Sequence, residues 1–380
     1  MRMLVGGLVL AMLPVGVAAQ DNGFVSLFDG RSLDGWVNIN CAPDTFGVRD
    51  GVISVTGVPI CEIRTPRMYE NFVLELEYQH VQPKGNAGVF VWADALPARG
   101  QPFLRAIEVQ VLDGRNSETY TSHGDVFAIH GAVLTPDRPH PRGSMRSLPS
   151  EHRAKGPGEW NHYRITADNG TLKLAVNGKE VSGGYDISPR KGYIALESEG
   201  APVLFRNIRI RELPSRGELP AAQVATADAG HVSLYDGKSF TGWKLPAGGT
   251  NWRTHDWRIA FDGTTTGEPL VSDASYGDVE VIADWRHAGE GRTLAEPLAA
   301  PAQGPGVGVT IASVPSAHTR PTGQWNRVVE RRERGRRTVT INGTIVLDGV
   351  PIDGTASGPI ALVPVGGQVE FANVFVKRLP

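Results

Sequence analysis

Cysteine is almost missing from this 380-residue chain: Cys41 and Cys61 are the only two. That excludes a disulfide-dense scaffold and, with no C-x-x-C spacing, a thiolate zinc site. Excess positive charge is also lacking, because 38 basic side chains meet 40 acidic ones. A dedicated nucleic-acid binder would normally carry a strong basic surplus. Beyond the first 19 residues no stretch is apolar enough to span a bilayer. There is no phosphate loop, no Gly-x-Ser-x-Gly elbow and no His-Glu-x-x-His pair, and no long Ala/Glu/Lys/Leu run. Turn formers are abundant instead: 46 Gly and 27 Pro make up about 19% of the chain, against a usual share of about 12%. Short alternating apolar stretches between these turns define an all-β protein.

Residues 1–19 open with Arg2, run apolar from Met3 to Val17 and end in small residues at Ala18 and Ala19. This is the pattern of a secretory signal, cut between Ala19 and Gln20, and it places the mature protein in the periplasm or outside the cell. In such an oxidising space Cys41 and Cys61 are expected to pair, closing a loop of about 20 residues worth ~3 kcal/mol.

The chain repeats itself. FVSLFDGRSLDGW at residues 24–36 returns as HVSLYDGKSFTGW at residues 231–243, an offset of 207. Later blocks, among them Trp160-Asn161 with Trp325-Asn326, and Phe205 and Asn207 with Phe371 and Asn373, repeat at offsets of 165 or 166. The second copy has therefore lost about 41 residues from its middle. The divisions are 22–213 for the first domain, 214–230 for a small, polar, Pro-containing linker, and 231–380 for the second domain. Residues 135–158, rich in Pro, Arg and Gly, fall in the part missing from the second copy and read as a long, lid-like excursion.

Within the first copy, alternation places Glu108 and Gln110 on one face of a strand and Ile107, Val109 and Val111 on the other. The pair stands ~7 Å apart along that face, a spacing that suits gripping adjacent sugar hydroxyls or setting a base beside a positioning group. The competing expectation is a solvated outer face. Asn86, between Gly85 and Gly88, is either a substrate ligand or a turn former. Trp92 is expected to share a face with Phe90 and there to stack on a sugar, or else to pack in the core. Glu77 could join Glu108 as acid or base, with Glu75 more naturally solvated. His130 is a candidate acid, since imidazole titrates near neutrality. Glu197 and Glu199 are further candidate ligands, and Glu62 and Arg64 read as surface residues. The second copy carries Val363 and Val365 where the first has Glu197 and Glu199, and it lacks the Asn86 and Glu108–Gln110 motifs. The site therefore belongs to the first copy.

These blocks resemble the 3-keto-disaccharide hydrolase family. The matching motifs are LFDGRSLDGW at 27–36, GNAGVF at 85–90, EVQVLD at 108–113, GEWN at 158–161, GYIAL at 192–196 and FRNI at 205–208. The first copy carries the full pattern and the second a degraded one. The resemblance implies two concanavalin-like jelly-roll sandwiches in tandem, with sugar bound on a concave sheet. It also implies cleavage of glycosides oxidised to a ketone at C3. A 3-keto group acidifies the C2 proton, so a modest base forms an enolate and the C1 aglycone leaves by elimination; water can then add. Such a site needs a base (Glu108, with Glu77 as a further candidate), an acid for the leaving oxygen (His130 or Glu77) and ligands for the sugar (Gln110, Asn86, Trp92, Glu197, Glu199). It also needs an enolate stabiliser, either a divalent metal or hydrogen-bond donors. The alternative is a non-catalytic carbohydrate-binding module using the same sheet.

Overall fold

The computed structural model describes residues 23–116, 121–249, 251–263, 268–289, 308–352 and 357–380. The expected signal segment, residues 1–19, lies outside them. Among the described residues, and apart from one 3-10 turn at Ala221–Gln223, the regular elements are all β-strands. They form two sandwiches in tandem, as the repeat requires.

The larger sheet of the first sandwich runs Val133–Pro136, Lys179–Ser188, Thr171–Val176, Asn161–Asp168, Phe72–His80, Val203–Glu212, Val52–Val55, Phe46–Arg49, with Val25–Ser26 paired on Val203–Glu212. The facing sheet runs Arg146–Ser147, Val126–Ile129, Ala106–Leu112, Asn86–Ala93, Tyr193–Ser198, Cys61–Arg64, Val37–Asn38. Alternation decides what lies between them. Phe72, Leu74, Leu76 and Tyr78 meet Ile107, Val109, Val111 and Leu196, all fully buried. Asn177 and Gly178 both take positive φ, 48° and 84°, as a two-residue hairpin turn demands. Cys41 and Cys61 are bonded, with Cα atoms 5.2 Å apart.

The second sandwich repeats the large sheet, with Val279–His287 between Val369–Arg378 and Asn326–Glu333. Its small sheet keeps four strands among the described residues, against seven in the first sandwich. The duplicated motifs are backbone fasteners. Trp36 Nε1 donates to the Leu27 carbonyl at 2.9 Å, and Trp243 Nε1 to that of Leu234 at 2.6 Å. Asn177 and Asn342 each donate to an Asn Oδ1 (of Asn161 and Asn326) at 2.9 Å.

The excursion at 135–158 contributes a strand. Its Arg146–Ser147 segment becomes the edge strand beside Val126–Ile129, so it extends the small sheet. The linker is stitched to the first sandwich as well: Ala225 N–H donates to the Lys191 carbonyl at 2.7 Å, and Asp228 pairs with the buried Arg64 at 2.7 Å. The second sandwich docks by the outer face of its large sheet. Phe375, with Ile282 beside it, packs against Phe90, Ala93, Ala106 and Ala195 and so covers the apolar end of the first sandwich's small sheet.

Candidate active site

The outward face of the small sheet divides in two. Its apolar end lies under the second sandwich, and its other end is polar and acidic. Glu108 and Gln110 stand there, only 7% and 3% exposed, which removes the expectation of a solvated face. On the neighbouring strands the same face carries Asn86 and Gly88, Glu197 and Glu199, and then Glu62, which is opposite Glu197 in register.

Gly88 lies where the carboxylates converge. A Cβ at this position would sit 2.8 Å from Glu197 Oε2, 3.1 Å from Glu108 Oε1 and 2.9 Å from Phe90 Cε1. The missing side chain is what lets two carboxylates approach across a strand. Beside them a relay is fixed: Gln110 Nε2 donates to Asn86 Oδ1 at 2.7 Å, and Asn86 Nδ2 donates to Glu199. From beneath, Tyr163 Oη donates to the Gln110 carbonyl at 2.7 Å and pins this strand to the opposite sheet.

Electrostatics follow from crowding. Burial, then the Glu199 charge, pushes Glu108 well above the ordinary carboxylate range, with Arg146 opposing. Burial and then the Glu108, Glu199 and Glu62 charges do the same to Glu197. Burial raises Glu62, against the Leu104 N–H that donates to its Oε2 at 3.0 Å. Glu199 is raised by burial. Burial, with like charge at Glu62, Glu108 and Glu197, thus raises the proton affinity of all four carboxyls. Cationic relief comes from Arg146. Phe127 is the register partner of both Glu108 and Arg146. The guanidinium lies 3.4 Å above the Phe127 ring and pairs with the buried Asp125 at 2.8 Å.

Three candidates, and Glu75 with them, stand elsewhere. Glu77 is on the outer face of the opposite sheet, paired with Arg206 at 2.6 Å; parity named its face correctly but not its sheet. Glu75, expected to be solvated, is buried between Arg164 and Arg209 on that same outer face. Trp92 does not share a face with Phe90. The register with Tyr193–Ser198 shifts here and Trp92 takes φ 54°, so a bulge turns its side chain into the core. There it is fully buried, donating to the Glu70 carbonyl at 2.8 Å. His130 is exposed just beyond Val126–Ile129, stacked on Phe103 with ring centres 6.1 Å apart, at the apolar end of the face.

Glu62 and Arg64, read from the sequence as surface groups, are buried, and Arg146 is partly buried. Glu62 was recoverable: with Cys61 and Ile63 facing the core, alternation places it outward beside Glu197. Arg146 had no such signal. Among the described residues no group of three or more His, Cys, Asp or Glu side chains is arranged to hold a metal ion. The carboxylates here do not fit a metal as enolate stabiliser.

Residues 23–211 match the 3-keto-alpha-glucoside-1,2-lyase-like domain. A 3-keto-disaccharide hydrolase of Bacteroides thetaiotaomicron is 24% identical over 245 residues, covering 50% of this chain and 79% of that protein. Among solved structures, a Parabacteroides distasonis protein provisionally named a glycosyl hydrolase is 21% identical with a TM-score of 0.41, covering 51% of this chain and 96% of that one. A carbohydrate-binding module from Bacillus subtilis is 12% identical with a TM-score of 0.34, covering 47% and 96%. The first sandwich of this chain, residues 23–211, belongs to the 3-keto-alpha-glucoside-1,2-lyase-like family.

Proposed function

We propose that the first sandwich is a carbohydrate-active enzyme that cleaves 3-keto-glycosides, with Glu108 as the base that removes the C2 proton. The observation that carries this reading is the set of crowded, buried carboxyls around Gly88. A raised proton affinity makes a carboxylate a stronger base toward an acidified C–H bond. The neighbouring protonated carboxyl, best placed at Glu197, serves as the acid for the departing oxygen. The C2–H bond breaks, its electron pair forms the enolate, the C1–O bond then breaks, and the aglycone takes the proton from the acid. Water adding to C1 of the enone completes hydrolysis.

The enolate oxygen needs positive charge or donors, and Arg146, whose charge acts on Glu108 across the intervening Val126–Ile129 strand, is the cation on this face to supply it. Asn86 and Gln110, locked into one relay, orient the sugar. The expected signal segment, residues 1–19, supports action in the periplasm or outside the cell. A pure binding module would want an exposed aromatic shelf on this face. Trp92 is in the core and Phe90 lies under the second sandwich, which favours chemistry over stacking. Incubation of the purified chain with a 3-keto disaccharide and with its unoxidised parent tests this. Aglycone released from the ketone alone supports the enzyme; binding of both sugars without release overturns it.

A further inference from the structure

Residues 94–105 connect the Asn86–Ala93 and Ala106–Leu112 strands as a long hairpin, tied by Asp94–Arg105 contacts at 2.8 and 2.9 Å. Its base straddles the Cys61–Arg64 strand: Arg64 Nε donates to the Ala95 carbonyl at 3.2 Å on one arm, and the Leu104 N–H donates to Glu62 on the other. Its tip reaches the second sandwich. The Gly100 N–H donates to Asp284 Oδ2 at 2.7 Å, Asn373 Nδ2 donates to the Ala98 and Gln101 carbonyls at 3.0 Å, and Arg327 donates to the Pro97 carbonyl at 2.9 Å.

Asp284 is fully buried and is held by both Arg327 (2.7 and 2.8 Å) and Asn373 (2.8 Å). A buried carboxylate accepting four hydrogen bonds is a built socket. It occupies the place that Glu77 has in the first sandwich: Asp284 pairs with Arg327 and Trp285 with Asn326, as Glu77 pairs with His162 and Tyr78 with Asn161. A position that faces solvent in one copy grips a loop in the other. Gly100 fits the socket because it takes φ 66° and lies flat against Trp325, 2.0 Å from where a Cβ would sit.

We propose that the second domain is a positioning element of the first domain's carboxylate site, with Asp284 holding the 94–105 hairpin at Gly100 so that its Leu104 N–H stays on Glu62. The role in catalysis rests on the enzymatic reading above; the positioning itself is measured without it. Two carboxylates face Glu62, Glu108 on Ala106–Leu112 and Glu197 on Tyr193–Ser198, and Arg64 on its own strand is turned to Ala95, Thr65 and Asp228. The Leu104 N–H favours the charged form of Glu62, so its loss raises the pH at which Glu62 ionises.

The test is a carbon-13 titration of the full chain labelled at glutamate Cδ, with the Glu62 signal identified by its absence in Glu62→Gln. Gly100→Ala, which drives a methyl into Trp325, and Asp284→Ala are two independent ways to release the tip. Each is expected to move the Glu62 titration up by about one pH unit and to lower kcat/KM on a 3-keto glycoside about tenfold. Asp284→Asn keeps one oxygen for Gly100 but sets an amide NH2 against Arg327, so it is expected to fall between wild type and Asp284→Ala. An unchanged Glu62 titration in the folded Gly100→Ala and Asp284→Ala proteins overturns the proposal. A wild type that leaves every 3-keto glycoside intact removes the enzymatic reading and leaves the titration result standing.

Discussion

Gly88→Ala tests the geometry of the site with one methyl group. The backbone at Gly88 does not require glycine, since its φ is not among the positive values. The methyl would meet Glu197 Oε2 at 2.8 Å, Phe90 Cε1 at 2.9 Å and Glu108 Oε1 at 3.1 Å, a few tenths of an ångström inside ordinary contact with each. The Phe90 ring cannot yield freely, because it is packed under the second sandwich. The carboxylates must part instead. Overpacking of this kind costs about 1–3 kcal/mol of stability, visible in chemical denaturation. A displacement approaching 1 Å of acid relative to base costs on the order of 100-fold in rate. The assay is aglycone release from a 3-keto disaccharide under kcat/KM conditions, with folding followed on the same sample. A folded Gly88→Ala protein with wild-type kcat/KM would refute the claim that the two carboxylates act together across this glycine.

Arg146→Met removes the charge that holds Glu108 down, so the pH at which the base is ionised rises. The acid limb of the kcat/KM–pH profile is expected to move to higher pH; a limb that stays put separates Arg146 from the base. Glu197→Gln addresses linkage. Glu197 is raised above its ordinary 4.5 in the folded chain, so its protonated form stabilises the fold fully below that value, and the contribution is lost as pH rises toward the folded pKa. The variant is therefore expected to gain in Tm over wild type at pH 8 and to match it near pH 4, and a gain confined to low pH would contradict the assignment. Trp92→Ala is expected to cost about 3–5 kcal/mol in unfolding free energy, as a large buried deletion does. In the protein that remains folded KM should hold; a KM rise with stability intact would return Trp92 to the sugar.

The architecture was legible because its signals are local and repeated. Trp36 with Trp243, and Asn161 with Asn326, satisfy the same backbone groups in both copies, so the duplicate keeps them while losing its acids. Alternation likewise placed Glu108 and Gln110 together, opposite Val109 and Val111. It failed where geometry breaks period two, as at Trp92, where one residue in left-handed backbone reverses the side chain. It also cannot say which sheet a strand joins, so Glu77 was grouped with Glu108. Long-range placement left no trace: Arg146 sits in a Pro-rich stretch with no period, and Asp284 in VEVIADWRH looks like any acid on a solvated strand. Glu62, Glu108 and Glu197 lie 46 and then 89 residues apart in sequence, and only the assembled sheet brings their strands onto one face.

The measurement that bears most directly on the central claim is turnover by Glu108→Gln, with a 3-keto disaccharide and its unoxidised parent offered side by side. The substitution keeps shape and removes the base. Wild type is expected to release aglycone from the ketone only, and the folded variant to release none above background. Undiminished release by Glu108→Gln, or release from the unoxidised parent by wild type, would contradict proton abstraction at C2 by this carboxylate.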